Sequence, residues 1–262
     1  MKLSRLIPIS LLTVALVSAP IYLHAAGDDK AASATGQNDA QIQADVTKQL
    51  SRKQFQGIAA TVQNGIITLS GSTDVFEHKQ EADQKAHRVK NVLAVRNLID
   101  VSGPVVPDAE LQSKIVGKLQ YDRVGYGNAF NAISVNVQNG VVTLGGHALG
   151  PVAKDSAISL VSNFPGVKDV VDEIEVDPVS PMDDRTRFAV YRAVYGYPSL
   201  NRYAIDPAQT IRISVQNGNV TLYGVVDTQA DKDTAGLRAN TVPGVFKVTN
   251  DLQVANQPSD RK

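Results

Sequence analysis

The chain has 262 residues, 26 basic and 26 acidic side chains, and no cysteine. Zero formal net charge excludes the broad electrostatic attraction on which non-specific nucleic-acid binding depends. The missing cysteines exclude disulfides, thiolate nucleophiles and zinc–thiolate sites.

Lys2 and Arg5 precede an apolar run from Leu6 to Val17, and small residues follow as far as Ala25 and Ala26. A basic start, a short apolar centre and a small-residue exit predict a cleaved secretory signal over residues 1–25. The uninterrupted run falls short of the roughly 20 residues a bilayer-spanning helix needs, and Pro8 and Pro20 break it up. No cysteine follows to take a lipid, so the expected address is the periplasm, without an anchor. Loss of residues 1–25 leaves 24 basic and 26 acidic side chains. Residues 26–37 are rich in Ala, Gly, Ser and Asp and carry little apolar surface to offset ordering entropy, which predicts a flexible leader.

A ten-residue stretch then occurs three times: Val62-Gln63-Asn64-Gly65 to Gly71, Val137-Gln138-Asn139-Gly140 to Gly146, and Val215-Gln216-Asn217-Gly218 to Gly224. Asn-Gly between apolar runs signals a type I′ hairpin, because both central residues need positive φ. Apolar residues alternate before each turn (Ile58, Ala60, Val62; Ile133, Val135, Val137; Ile211, Ile213, Val215). After it they sit two apart (Ile67, Leu69; Val142, Leu144; Val220, Leu222). Period two predicts one buried and one wet face.

Three domains follow from this repeat: residues 38–103, 107–178 and 182–255, joined by Pro-containing linkers, with a tail over 256–262. In the first, Asp39 is expected to cap a helix with Ile42, Val46 and Leu50 on one face. A second helix is expected to start at Asp74 and bury Ala82, Ala86 and Val89, before a strand from Val95 to Val101. The second domain repeats the pattern with Leu111, Ile115 and Leu119, then Ala157, Val161 and Phe164. The third repeats it with Ala235, Ala239 and Val242, then Val248, Leu252 and Val254. From turn glycine to closing valine each copy uses 36 residues (Gly65 to Val101, Gly140 to Val176, Gly218 to Val254). Length varies only between the first helix and the first strand, where a surface loop or a longer helix is expected. The fold class is therefore α+β: three tandem small domains, each α-β-β-α-β, with a three-stranded sheet covered by two helices. Units this small are marginal alone, so packing between neighbours is expected.

The hairpin motif, a second helix with Lys followed by Ala, and a closing strand of the form Gly166-Val167…Val170…Ile174…Val176 and Gly244-Val245…Val248…Leu252…Val254 resemble the BON family (bacterial OsmY and nodulation). Asn91 stands where the first copy should have that glycine. The resemblance covers all three repeats. It implies a non-enzymatic envelope module at the periplasm or outer membrane, linked to phospholipid surfaces, stress protection or escort of outer-membrane proteins.

The residues agree in showing no catalytic constellation. His78 and His87 lie nine apart on one helix, off the spacing that would share a metal. No nucleophile elbow or phosphate loop occurs. No metal, cofactor or catalytic residue is expected. Lys79, Lys154 and Lys232 recur early in the second helix; a phosphate-contacting row is one reading, and aliphatic stems over the core edge the plainer one. The remaining candidate is aromatic and basic. Copy two has Tyr121, Tyr126 and Phe130 between its first helix and first strand. Copy three has Arg187, Phe188, Tyr191, Arg192, Tyr195, Tyr197, Arg202 and Tyr203. Val190 and Val194 mark one helix face, and Phe188, Tyr191 and Tyr195 follow another. Such a stripe fits a membrane interface or a partner groove, and equally a neighbouring repeat or a larger core. The expected partners are an anionic phospholipid or outer-membrane surface, or unfolded outer-membrane proteins, and not nucleic acid. A structural adaptor for another envelope component is the remaining reading.

Overall fold

A computed structural model describes residues 28–121 and 126–255. The expected signal segment and tail lie outside the described residues. The first domain comprises α1 (Asp28–Gln49), a 3-10 turn, β1 (Ile58–Gln63), β2 (Ile66–Thr73), α2 (Phe76–His87), β3 (Ala94–Asn97) and β4 (Asp100–Val101). The second comprises α3 (Asp108–Tyr121), α4 (Tyr126–Ala129), β5 (Ala132–Gln138), β6 (Val141–Ala148), α5 (Pro151–Ser162) and β7 (Asp169–Val176). The third comprises α6 (Pro181–Tyr195), two 3-10 turns, β8 (Arg212–Gln216), β9 (Asn219–Tyr223), β10 (Val225–Val226), α7 (Gln229–Asn240), β11 (Lys247–Asn250) and β12 (Gln253–Val254). Each domain has its own set of strands around one hairpin, and in the third β10 and β12 form a separate two-stranded parallel sheet. The second hairpin strand is central, antiparallel to the first and parallel to the last.

The three turns have positive φ at both central residues, as a type I′ turn requires: Asn64 and Gly65, Asn139 and Gly140, Asn217 and Gly218. Gly71 and Gly146, expected at the end of the second strand, lie within it and sit against the first strand's entry, whereas Gly224 follows its strand directly. A Cβ on Gly71 or Gly146 would lie 2.1 Å from the carbonyl oxygen of Gly57 or Ala132. Asn91 adopts φ 62°, so asparagine fills the left-handed position that glycine holds in the other copies.

One acid on the first helix of each domain holds the hairpin turn that follows. Asp39 is no cap, because α1 begins at Asp28. Ala31, Ala32 and Ala34 are strong helix formers, and the backbone expected to be a flexible leader is helical from residue 28. The Asp39 carboxylate instead accepts hydrogen bonds from the backbone N–H groups of Asn64 and Gly65, both at 2.7 Å. Asp108 accepts from Asn139 at 2.6 Å and Gly140 at 2.9 Å. Asp183 accepts from Asn217 at 3.0 Å and Gly218 at 2.8 Å. On the far side, the turn glycine carbonyl accepts from Leu93, Lys168 or Phe246, the residue that leads toward the last strand. Four residues after each acid, Gln43, Gln112 or Arg187 donates to a first-strand carbonyl: Ala60, Val135 or Val215. One helix thus grips both the turn and the edge strand of its hairpin.

Asp74 also departs from expectation. The cap position of α2 is Val75, with no side-chain cap bond, and the Asp74 carboxylate pairs with His78 Nδ1 at 2.8 Å. The closing strand is interrupted in two copies. Asn97 and Asn250 accept from the backbone N–H two residues on and donate to the carbonyls of Lys79 and Lys232. In the second copy Asp172 stands there, Lys154 reaches it at 2.8 Å, and β7 runs unbroken. Lys154 also donates to the Ile174 carbonyl, so this member of the lysine row serves the fold.

The variable segment is not a plain surface loop. It buries Phe55 in the first domain, and Leu200 and Tyr203 in the third. In the second domain it sends Ala129 and Phe130 into the third domain's core, beside Val190, Ile211 and Ile213. The Phe130 ring meets Phe188 edge-on at 5.3 Å and Tyr191 at 5.8 Å. Around this plug, Asn128 donates to the Pro207 carbonyl and Thr210 Oγ1. Ser214 and Gln216 donate to buried Asp177, and His147 stacks on Tyr223. The first junction is simpler: Phe76 and Val101 of the first domain join the second domain's core.

Two tests follow from this packing. Asp183 is 2% exposed, whereas Asp39 and Asp108 are partly solvated. Asp183→Ala should cost about 3 kcal/mol, and Asp39→Ala or Asp108→Ala about 1 kcal/mol each. Amide exchange at the three turns reads each domain separately; equal losses at all three would contradict the role of burial. Phe130→Ala should cost about 3 kcal/mol at the junction. It should split the melting of the second and third domains in calorimetry, while Phe55→Ala destabilises the first domain alone.

Candidate functional site

The residues singled out in copy three divide into two groups. Arg187 cannot meet a partner, because it is 1% exposed. Its guanidinium donates to Asp184 and, at 3.1 Å, to the Val215 carbonyl. It lies 3.8 Å from Asp177 and 5.9 Å from the Phe130 ring centre. A buried charge must be paired, and here two carboxylates from different elements share the task. Tyr195 is 7% exposed and donates its hydroxyl to the Ile211 carbonyl at 2.6 Å. Burial, then Tyr191 beside it, pushes its hydroxyl pKa far up, so it stays neutral. Tyr191 is half-buried, 4.6 Å from the Tyr195 ring and packed on Phe130. The aromatic stripe of α6 is therefore largely a joint between the second and third domains. Arg187, Tyr191 and Tyr195 are corrected from surface contacts to interior ones.

Arg202 and Tyr197 lie elsewhere. Arg202 pairs with Asp231 at 2.6 Å and Asp227 at 3.2 Å, over the ring of Tyr203. Tyr203 donates to Asp231 at 3.1 Å, and Thr228 caps α7 through Asp231. This closes the 3-10 segment onto α7. Tyr197 lies under the Arg238 guanidinium at 5.4 Å, and Arg238 also donates to the Ala193 carbonyl. Both residues join α6 and the segment after it to α7.

What remains outward on α6 is a stripe: Met182, Arg185, Phe188 and Arg192. Met182 is 67% exposed and Phe188 37%, and both arginines are exposed. Their spacing puts them within roughly one third of the helix circumference. The helix has two acids, and both are engaged: Asp183 by the turn and Asp184 by Arg187. The outward face is thus basic with an apolar centre. Arg185 and Met182 were missed from sequence, because the burial of Asp183 under the turn and the pairing of Asp184 with Arg187 are tertiary facts.

Among the described residues no three His, Asp or Glu side chains converge as metal ligands, and no helix is long and apolar enough to cross a membrane.

The BON domain family model matches residues 38–103, 107–178 and 199–256. The third match begins after α6, although that helix lies on β8 and holds its turn. The chain is 29% identical over 153 residues to osmotically-inducible protein Y of Escherichia coli (strain K12), covering 54% of this chain and 71% of that one. It is also similar to two structures of CdsD, a structural protein of the type III secretion system of Chlamydia trachomatis, one of them its C-terminal domain. Identities there are 14% and 16%, covering 82% and 80% of this chain and 96% and 90% of theirs, with TM-scores of 0.25. Three family matches, each laid over one aspartate-clamped Asn-Gly hairpin, mean that this chain belongs to the BON domain family.

Proposed function

We propose that the protein is a non-enzymatic module of the periplasm that docks on anionic phospholipid surfaces and supports the envelope under osmotic stress. The observation that carries this reading is the outward stripe of α6, where Arg185 and Arg192 flank Phe188 and the acid at its border, Asp184, is paired with Arg187. Arginine can lie against headgroup phosphates in a bidentate fork, while an aromatic edge enters the interfacial layer. The chain has no overall charge to draw it there, so attraction must come from a local face. A relative named for osmotic induction supports the stress role. Membership in the BON family supports a non-enzymatic role.

Escort of unfolded outer-membrane proteins is less favoured. It calls for a continuous apolar groove, and the exposed apolar side chains Leu93, Val152 and Phe246 belong to three different domains.

Flotation with vesicles tests the proposal. The wild type should float with phosphatidylglycerol vesicles, lose binding as salt rises, and ignore phosphatidylcholine. Each arginine near an anionic surface contributes about 1 kcal/mol, roughly fivefold in partition. Arg185→Gln with Arg192→Gln should therefore weaken binding by about 25-fold, without loss of stability. A wild type that stays with the soluble fraction, or a double variant that floats equally well, ends this reading.

A further inference from the structure

A small polar cavity of about 70 Å³ lies at the joint of the second and third domains. The second domain supplies most of its wall: Leu119 and Gln120 at the end of α3, Asn128 and Asn131 around the Phe130 plug, and Val135 of β5. The third domain closes it with a single side chain, Arg212 at the start of β8. The asparagine amides are spent. Asn128 donates to the Pro207 carbonyl and Thr210 Oγ1. Asn131 donates to the Gly127 carbonyl and accepts from the Leu149 N–H. Arg212 is not spent. Among the described residues it donates in one long contact, 3.4 Å to the Thr210 carbonyl, and no carboxylate pairs with it. A guanidinium has five N–H donors in a planar fork and does not give up its charge at physiological pH. Burial lowers the pKa of Arg212, offset in part by Tyr195, which marks a cation that its surroundings leave under-compensated. The contrast with Arg187 and Arg202 is direct, since each of those holds two carboxylates.

We propose that this cavity binds a small oxyanion of phosphate size, held by the Arg212 fork together with Gln120, which also lines it, and that the anion locks the third domain onto the second. The volume supports the size. A single water needs about 10–15 Å³ on this measure, so 70 Å³ has room for a tetrahedral oxyanion and not for a lipid chain. The cavity shares no lining residue with the outward stripe of α6, so its test is independent of vesicle binding. The phosphate could arrive as the free ion or as a soluble headgroup fragment.

Thermal unfolding and calorimetric titration of the intact chain, at constant ionic strength with chloride as reference, test the site. The probes are inorganic phosphate and glycerol 3-phosphate. Either should raise Tm saturably over chloride, and the tighter of the two identifies the source. Arg212→Met should weaken the response at least tenfold. In chloride alone this variant should melt no lower than the wild type, because it removes a part-buried cation that has no carboxylate partner. A merely structural arginine would behave in the opposite way, lowering Tm in every salt and leaving the phosphate response intact. Arg212→Lys should bind weakly, having charge without the fork. If Arg212→Met fails to fold, Gln120→Leu decides instead: it should weaken phosphate binding severalfold, and an unchanged response overturns the proposal. No rise over chloride in the wild type overturns it as well.

Discussion

Two backbone N–H groups at the tip of a type I′ turn point the same way and have no partner within their hairpin. In this protein an aspartate on the preceding helix accepts both, three times over. Each clamp is charge-assisted and two-pronged, so it fixes distance and orientation together. The same turn glycine offers its carbonyl to the residue entering the final strand. Helix, hairpin and crossover strand therefore meet at one point. With that point fixed, Ile42, Val46 and Leu50, or Leu111, Ile115 and Leu119, come to rest on the sheet. A one-residue slip would turn Ile67 and Leu69 away from the core.

The clamp makes the copies alike, and the segment between first helix and first strand makes them different. In the first domain that segment turns back and plugs its own core with Phe55. In the second it points outward, and Phe130 becomes part of the third domain's core. The third domain answers with a helix buried on two sides: Val190 and Val194 toward its sheet, Tyr191 and Tyr195 toward the joint. Arg187 sits between, where the other copies have a glutamine. There it takes over the glutamine's bond to the edge strand and adds an ion pair to Asp177 from the linker. A domain that would be marginal alone thus shares its interior with a neighbour.

This sharing shapes what is left for partners. Aromatic surface consumed at the joint is not available to a membrane, and the outward side of α6 is left with two arginines around one exposed ring edge. Arginines are treated unequally: Arg187 at the joint and Arg202 within the third domain are each held by carboxylates, whereas Arg212 faces a cavity. The unmatched Arg212 and the matched Arg187 lie within the same junction, so an anion that entered there would tie the two domains more firmly.

Features carried by neighbours in sequence were legible without the fold. The Asn-Gly turns, the period-two strands, the helical spacing of Ala82 and Ala86, and the threefold repeat all rest on local sterics or on periodic burial. The roles of Asp39, Asp108 and Asp183 were not, since each acid meets its turn across 25 to 35 positions. A capping residue and a turn clamp look identical until the helix start is known. The stripe of Phe188, Tyr191 and Tyr195 was visible, and so was its ambiguity, because an aromatic face looks the same whether lipid or a neighbouring domain covers it. The amino-acid sequence by itself determined three α-β-β-α-β units and their cores, because backbone geometry and apolar periodicity act over a few residues. Only the tertiary structure decided which side chains face outward, because that depends on where Phe130 docks and on which of the paired charges are drawn inside.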